Sequence, residues 1–442
     1  MTRQVDTIIS ARYIVPVIPA GPLENHALVI HQGRILDLLP DAEAREKYAT
    51  SNWQQRPHHT LIPGLVNAHT HLAMTLFRGI ADDLPLEEWL REHIWPAEQE
   101  WVGPDFVRDG TELALAEMIR GGTTCASDMY FFPEVTAGTA ASMGMRMVVG
   151  MPIIELETAW AKSAEECFAK GLEVHDAYRG HPLISTAFAP HAPYTVSDES
   201  LSRISKLANE LELPVHMHLH ETAREVDEAV QSTGERPVAR LHRLGLMSRQ
   251  LVAVHMTCLD DADLTMASEG NISVVHCPES NMKLASGTCQ ASALRDRGIN
   301  LCLGTDGAAS NNDLSMLGEM RSAALLGKLT SGDAAAFPAA QILEMATLNG
   351  ARALGMEDQI GSLEPGKWAD ICCVDMHALH LQPLYDPISQ LVYCAEDSDV
   401  SDVWIGGSQL LENRRLLNLN EKSLFEKTAR WAERLSGFGI NG

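Results

Sequence analysis

Between Leu61 and Asp306, short apolar runs alternate with longer stretches in which apolar residues recur every three or four positions. Eight runs read as strands: 61–71, 123–129, 145–154, 183–191, 214–221, 251–256, 272–278 and 300–306. The segments between them read as helices; 200–211, for instance, places Leu201, Ile204, Leu207 and Leu211 on one stripe. Strand and helix in alternation predict βα units and a parallel sheet, and eight such units close a (β/α)8 TIM barrel.

The chain ends carry a different texture. From Val5 to Leu61 the pattern is short and alternating, with 27–37 reading as two strands around a Gln32-Gly33 turn. A related pattern returns at 369–375 and 400–408, so the two ends are expected to join into a small β-sandwich domain. The expected division is 1–62 and 365–420 for that domain, 63–364 for the barrel and 421–442 for a terminal helix.

A length of 442 residues suits a barrel with one such satellite. No apolar run reaches the roughly 18 residues of a membrane span, and no membrane association is expected. The first residues enter strand-like sequence without the zones of a secretory signal. With nine unevenly spaced cysteines, this suggests a reducing cytoplasm. The formal charge of −25 disfavours nucleic-acid backbones, which are bound by neutralising phosphates with Lys and Arg.

Chemistry gathers at the strand ends, where barrel enzymes place their sites. The first strand ends in Asn67-Ala-His69-Thr-His71, and side chains two apart on a strand share a face. The fifth ends in His216, His218, His220 and Glu221, the sixth in His255, and the eighth in Gly304-Thr-Asp306-Gly. Three His and one Asp suit Zn²⁺, with Fe²⁺ or Mn²⁺ as alternatives, and leave room for a water. Alternation alone does not choose among His216, His218 and His220.

Pro63-Gly-Leu-Val-Asn-Ala-His-Thr-His, the His218-x-x-Glu221 pair, His255 and Gly304-Thr-Asp306-Gly together resemble the amidohydrolase superfamily. Within it, they resemble the branch holding methylthioadenosine/S-adenosylhomocysteine deaminases and triazine hydrolases. The resemblance implies that His218 joins His69, His71 and Asp306 around one zinc per subunit. It also makes Glu221 the proton shuttle, His255 a polarising partner of the attacking water, and Asp306 both ligand and proton acceptor. Binuclear relatives usually carry a carboxylated Lys on the fourth strand, and no Lys occurs in 183–194. A single metal is expected.

The segment from Leu76 to Glu98 resembles the nucleoside-recognition loop of this branch. It implies that Trp89 and Glu98 contact the nucleoside, Glu98 through the ribose hydroxyls. His191 matches a position reaching the purine ring, and Ser310 is expected to face the pocket. Members that prefer S-adenosylhomocysteine clamp its carboxylate with Arg after the third strand. Here 151–168 holds no Arg, only Lys162 among Glu155, Glu157, Glu165 and Glu166. A neutral 5′ substituent is therefore expected, as in 5′-methylthioadenosine, with Met151 as a wall of its pocket and adenosine or S-adenosylhomocysteine as weaker substrates.

Relatives imply a homo-oligomer, dimer or tetramer. Competing readings are a triazine, guanine or cytosine hydrolase with the same metal residues, and a catalytically silent barrel scaffold. The zinc deaminases marked by H-x-E and P-C-x-x-C are set aside, since neither motif occurs.

Overall fold

In the computed structural model, residues 2–436 are described. The eight expected runs all form strands: β1 Leu65–Thr70, β2 Thr123–Asp128, β3 Arg146–Ile153, β4 Ile184–Pro190, β5 Val215–Leu219, β6 Leu251–His255, β7 Ser273–His276 and β8 Asn300–Leu303. They lie side by side in chain order, and β3 to β8 pair in parallel. Just beyond β8, the Asp306 N–H donates to the His69 carbonyl at 3.0 Å, bringing the last strand back to the first.

Most of these strands are buried along their whole length. A parallel sheet covered on both faces has that pattern, which is why the runs read as continuously apolar rather than alternating. The helical segments supply the cover. Ser197 accepts from the Ser200 N–H at 3.2 Å and caps the helix Asp198–Leu211, whose Leu201 and Ile204 are fully buried while Leu207 and Leu211 are half-exposed.

After β5 the chain turns into α1 (Ala223–Thr233), and near the C-terminus it forms α2 (Glu421–Leu435). The part of the expected 421–442 helix beyond 436 lies outside the described residues. In α2, Trp431 meets Phe106 edge-on at 5.2 Å and donates through Nε1 to Asp109 Oδ2 at 3.0 Å. Both rings belong to the apolar cluster that also buries Phe77, Trp89 and Ile94.

The chain ends form a second, eight-stranded sheet. Its order is Arg415–Leu416, Ser408–Glu412, Val400–Ile405, Ile371–Asp375, Trp53–Pro63, Thr7–Ile14, Leu23–His31 and Arg34–Pro40. The expected hairpin is present, with Gln32 at φ 52° and Gly33 at φ 75°, the left-handed pair that a tight two-residue turn requires. Successive residues feed opposite apolar layers: Ile9, Leu28 and Ile30 enter one, Ile8, Ala27 and Val29 the other.

The chain divides into two compact units. One gathers the residues up to Asn67 with Ala116–Cys125 and Ser315–Leu419; the other gathers Ala68–Leu115, Ala126–Leu314 and the segment from Asn420. Every residue of the candidate site belongs to the second. Among the described residues, no helix is long and apolar enough to cross a membrane.

Candidate active site

The ends of β1, β5 and β8 bring His69, His71, His218 and Asp306 together, with one ligand atom of each within 4.8 Å of the others. Each imidazole is fixed through Nδ1. His71 bonds the Met129 carbonyl at 2.6 Å, His218 the His191 carbonyl at 2.9 Å, and His69 the Nε2 of His216 at 2.9 Å. Held from behind in this way, all three present Nε2 to a common centre, the usual arrangement around a metal-binding histidine.

His218 Nε2 lies 3.2 Å from His69 Nε2 and 3.3 Å from His71 Nε2. Asp306 Oδ1 lies 3.3 Å from His69 Nε2 and 3.2 Å from His71 Nε2. Zinc arms of about 2.0–2.1 Å at tetrahedral angles span edges of about 3.3 Å. The donors therefore fit a mononuclear zinc site in number, chemistry and spacing. Asp306 is in turn aimed by the Ser280 hydroxyl, which donates to Oδ2 at 2.6 Å, and by the Gly307 N–H, which donates to Oδ1 at 2.8 Å.

The choice that spacing left open on the fifth strand has a backbone reason. His216 lies deeper, fully buried between His69 and Ser127, and supports rather than ligates. His220 follows the end of β5 and adopts φ 52°, so alternation breaks there. Its Nδ1 bonds the Cys258 carbonyl at 2.8 Å, away from the centre.

Beside the metal residues opens a cavity of about 510 Å³, lined in part by Trp89, Glu98, His191, Glu221, His255 and Ser310. Nine of the expected site residues thus line it, these six together with His71, His218 and Asp306. Burial, reinforced by the charge of Asp306, pushes the Glu221 carboxyl up to about 8. The Nε2 of His255 lies 3.8 Å from Glu221 Oε1, and burial lowers its pKa. Asn281 Nδ2 is paired with His255 Nδ1 at 3.1 Å. His191, neutralised by burial with its pKa lowered to about 4, bonds Thr195 Oγ1 through Nδ1 at 3.1 Å.

Trp89 opens a π-helical turn, Trp89–Ile94, that runs into the helix Trp95–Trp101 bearing Glu98. Burial pushes Glu98 up to about 7, opposed by the Tyr130 hydroxyl, which donates to its Oε1 at 2.7 Å. Ser310 shares a 3.1 Å contact with Ser280, within the bonds around Asp306.

Met151 is a correction. It is fully buried and does not line the cavity; its side chain lies over Gly171, where a Cβ would come within 3.0 Å. Its β3 neighbour Pro152 and the following Ile154 line the cavity instead, so the expectation chose the wrong face of the strand.

Sequence reasoning missed Tyr130 and the Met129 carbonyl, and it read 278–281 as a loop over the pocket mouth without giving Ser280 or Asn281 a role. Met129 and Tyr130 follow the end of β2, so the strand-end rule that found His69 could have found them. Ser280 and Asn281 are buried in the short helix Pro278–Lys283, and no ligand-like spacing marks them.

A sequence profile described as "Amidohydrolase family" matches residues 60–410. The chain is 48% identical over 435 residues to the 5-methylthioadenosine/S-adenosylhomocysteine deaminase of Teredinibacter turnerae, covering 98% of each. It is 40% identical over 421 residues to the 5′-deoxyadenosine deaminase of Methanothermobacter thermautotrophicus, covering 95% of this chain and 97% of that protein. Its fold is similar to the crystal structure of an adenosine deaminase from Xanthomonas campestris with bound zinc. That match has a TM-score of 0.98 and 52% identity, covering 99% of this chain and 100% of the other.

Proposed function

Because the chain belongs to the amidohydrolase family, we propose that this metal-dependent aminohydrolase deaminates 5′-substituted adenosines. The substrate proposed is 5′-methylthioadenosine, converted to the inosine analogue and ammonia, with adenosine and S-adenosylhomocysteine turned over more weakly. The observation that carries this reading is a buried, protonatable Glu221 beside a zinc-fitting His69–His71–His218–Asp306 group, in a cavity that also holds Trp89 and Glu98. The related deaminases support it.

When bound, the ion supplies Lewis-acid activation of a water for attack on the purine. Glu221 gives its proton to ring N1 as C6 is attacked, takes up the proton of the hydroxyl so attached to C6 and passes it to the departing amine, after which the proton taken by Asp306 returns to it. A carboxyl with a pKa near neutrality suits both transfers. His255 polarises the water, and Asp306 accepts its proton. His191 contacts the purine, Ser310 helps hold Asp306 and closes the floor of the pocket, and Trp89 packs against the nucleoside. Glu98 takes the ribose hydroxyls on the oxygen that Tyr130 leaves available.

Among the described residues, no Lys or Arg lines the cavity, whereas Glu98, Glu157 and Glu221 do. A substituent carrying a carboxylate would find no bidentate partner there. Steady-state kinetics should give 5′-methylthioadenosine a higher kcat/KM than S-adenosylhomocysteine; the reverse order would refute the substrate assignment. Glu98→Gln should lower kcat/KM for nucleosides strongly, whereas a free-base or triazine hydrolase would hardly respond.

The same proposal includes a catalytic barrel at 63–364 with an accessory domain from 1–62 and 365–420, and a terminal helix that begins at 421. It also includes a homo-oligomer, dimer or tetramer, to be read by light scattering. A cytoplasmic location is consistent with nine free thiols.

A further inference from the structure

We propose that Glu225 is a positioning residue that clamps the backbone of Glu221 while leaving its carboxyl free to move. The inference rests on the reading of Glu221 as the proton-transfer group. Glu225 sits in the first turn of α1, and its N–H donates to the Thr222 hydroxyl at 3.1 Å, so Thr222 and Glu225 occupy the two positions of a capping box. In that motif the carboxylate ordinarily turns back to the N–H of the cap residue. Here it reaches further along the chain. The Glu221 N–H donates to Glu225 Oε2 at 2.8 Å, and the His220 N–H donates to Oε1 at 3.1 Å.

The carbonyl side is held as well. Thr257 donates its hydroxyl to the Glu221 carbonyl at 2.9 Å and to the His220 carbonyl at 3.1 Å, and its N–H donates to the His220 carbonyl at 2.9 Å. The peptide between His220 and Glu221 is therefore held at both its N–H and its carbonyl, and the peptides on either side at one group each, at the point where His220 adopts its left-handed φ of 52°. An L side chain occupies that region at a cost of about 1–2 kcal/mol, and the two bonds that the flanking N–H groups make to Glu225 offset it.

The Glu221 side chain has the opposite character. No hydrogen bond to its carboxyl oxygens is found among the described residues, and the Nε2 of His255 stands 3.8 Å from Oε1. A group that gives one proton to ring N1, then collects another at C6 and delivers it to the departing amine, needs a fixed base and free side-chain torsions. Glu225 and Thr257 supply the fixed base; the cavity supplies the freedom.

The test compares Glu225→Ala, Glu225→Gln and Glu221→Gln in zinc-loaded protein, with Ser197→Ala as a control for loss of a helix cap elsewhere. Misplacing a reacting group by about 1 Å costs on the order of 100-fold in rate. Glu225→Ala is expected to lower kcat by about 30- to 100-fold with KM changed less than about twofold and one zinc retained. Glu225→Gln, which keeps the packing and one acceptor, should fall between it and the wild type and remains informative if the Ala variant does not fold. Ser197→Ala should lower Tm with kcat intact. A Glu225→Ala or Glu225→Gln enzyme with wild-type kcat, alongside an inactive Glu221→Gln, would overturn the clamp alone. A fully active Glu221→Gln would overturn the proton-transfer reading on which it rests.

Discussion

The imidazoles at the centre owe their orientation to what stands behind them. The bonds from Nδ1 to Met129, His191 and His216 settle which nitrogen faces the metal, and two of those three partners are backbone carbonyls, invisible to any motif. The sequence could therefore suggest His69, His71 and Asp306 from strand ends, but it could not separate His218 from its neighbours without a family resemblance. The separating facts are the bonds that hold His216 behind His69 and one torsion at His220. Glu98 gives a prediction at this scale. Burial raises its pKa to about 7, so the carboxyl is neutral below that pH and ionised above it. An ionised carboxylate is the stronger acceptor for two hydroxyls. KM for ribonucleosides should therefore rise as pH falls through 7, while a 2′,3′-dideoxy analogue shows no such dependence. The same KM trend for both analogues would separate Glu98 from ribose recognition.

At the scale of elements, eight strands were legible because the buried runs alternate with helical stripes, and four of them, the first, fifth, sixth and eighth, end in ligand-capable residues. The face of each strand was less legible. Met151 is buried on β3 as expected of an apolar residue, but a strand buried on both sides gives no polar alternation to say which side meets the cavity. The closure of β8 on β1 has its own requirement at Gly304. A Cβ there would lie 2.8 Å from the His69 nitrogen and from a Val275 methyl, and 3.0 Å from His69 Cβ. Gly304→Ala should push the two strand ends apart, costing about 1–3 kcal/mol of stability. Because His69 and Asp306 move with them, zinc affinity should fall by about 10- to 100-fold, the range seen when groups supporting metal ligands are disturbed. Thermal melts and competition with a chromophoric chelator would read both; wild-type affinity in that variant would mean that the closure is looser than the distances imply.

For the whole molecule, the sequence pattern indicated a barrel accompanied by a sheet built from both chain ends, and both are present. What it could not indicate is how distant segments share one apolar cluster. Trp431, on a helix near the C-terminus, is buried in the same cluster as Trp89 and Ile94, more than 300 positions earlier. No local periodicity carries that information. The most direct test of the central claim is the loss of adenine absorbance when 5′-methylthioadenosine is added to protein stripped of metal and then titrated with Zn²⁺. Activity that is absent in the stripped protein and reaches its plateau at one zinc per chain is the expected result. A protein that takes up no stoichiometric metal, and deaminates nothing when zinc is supplied, would contradict it.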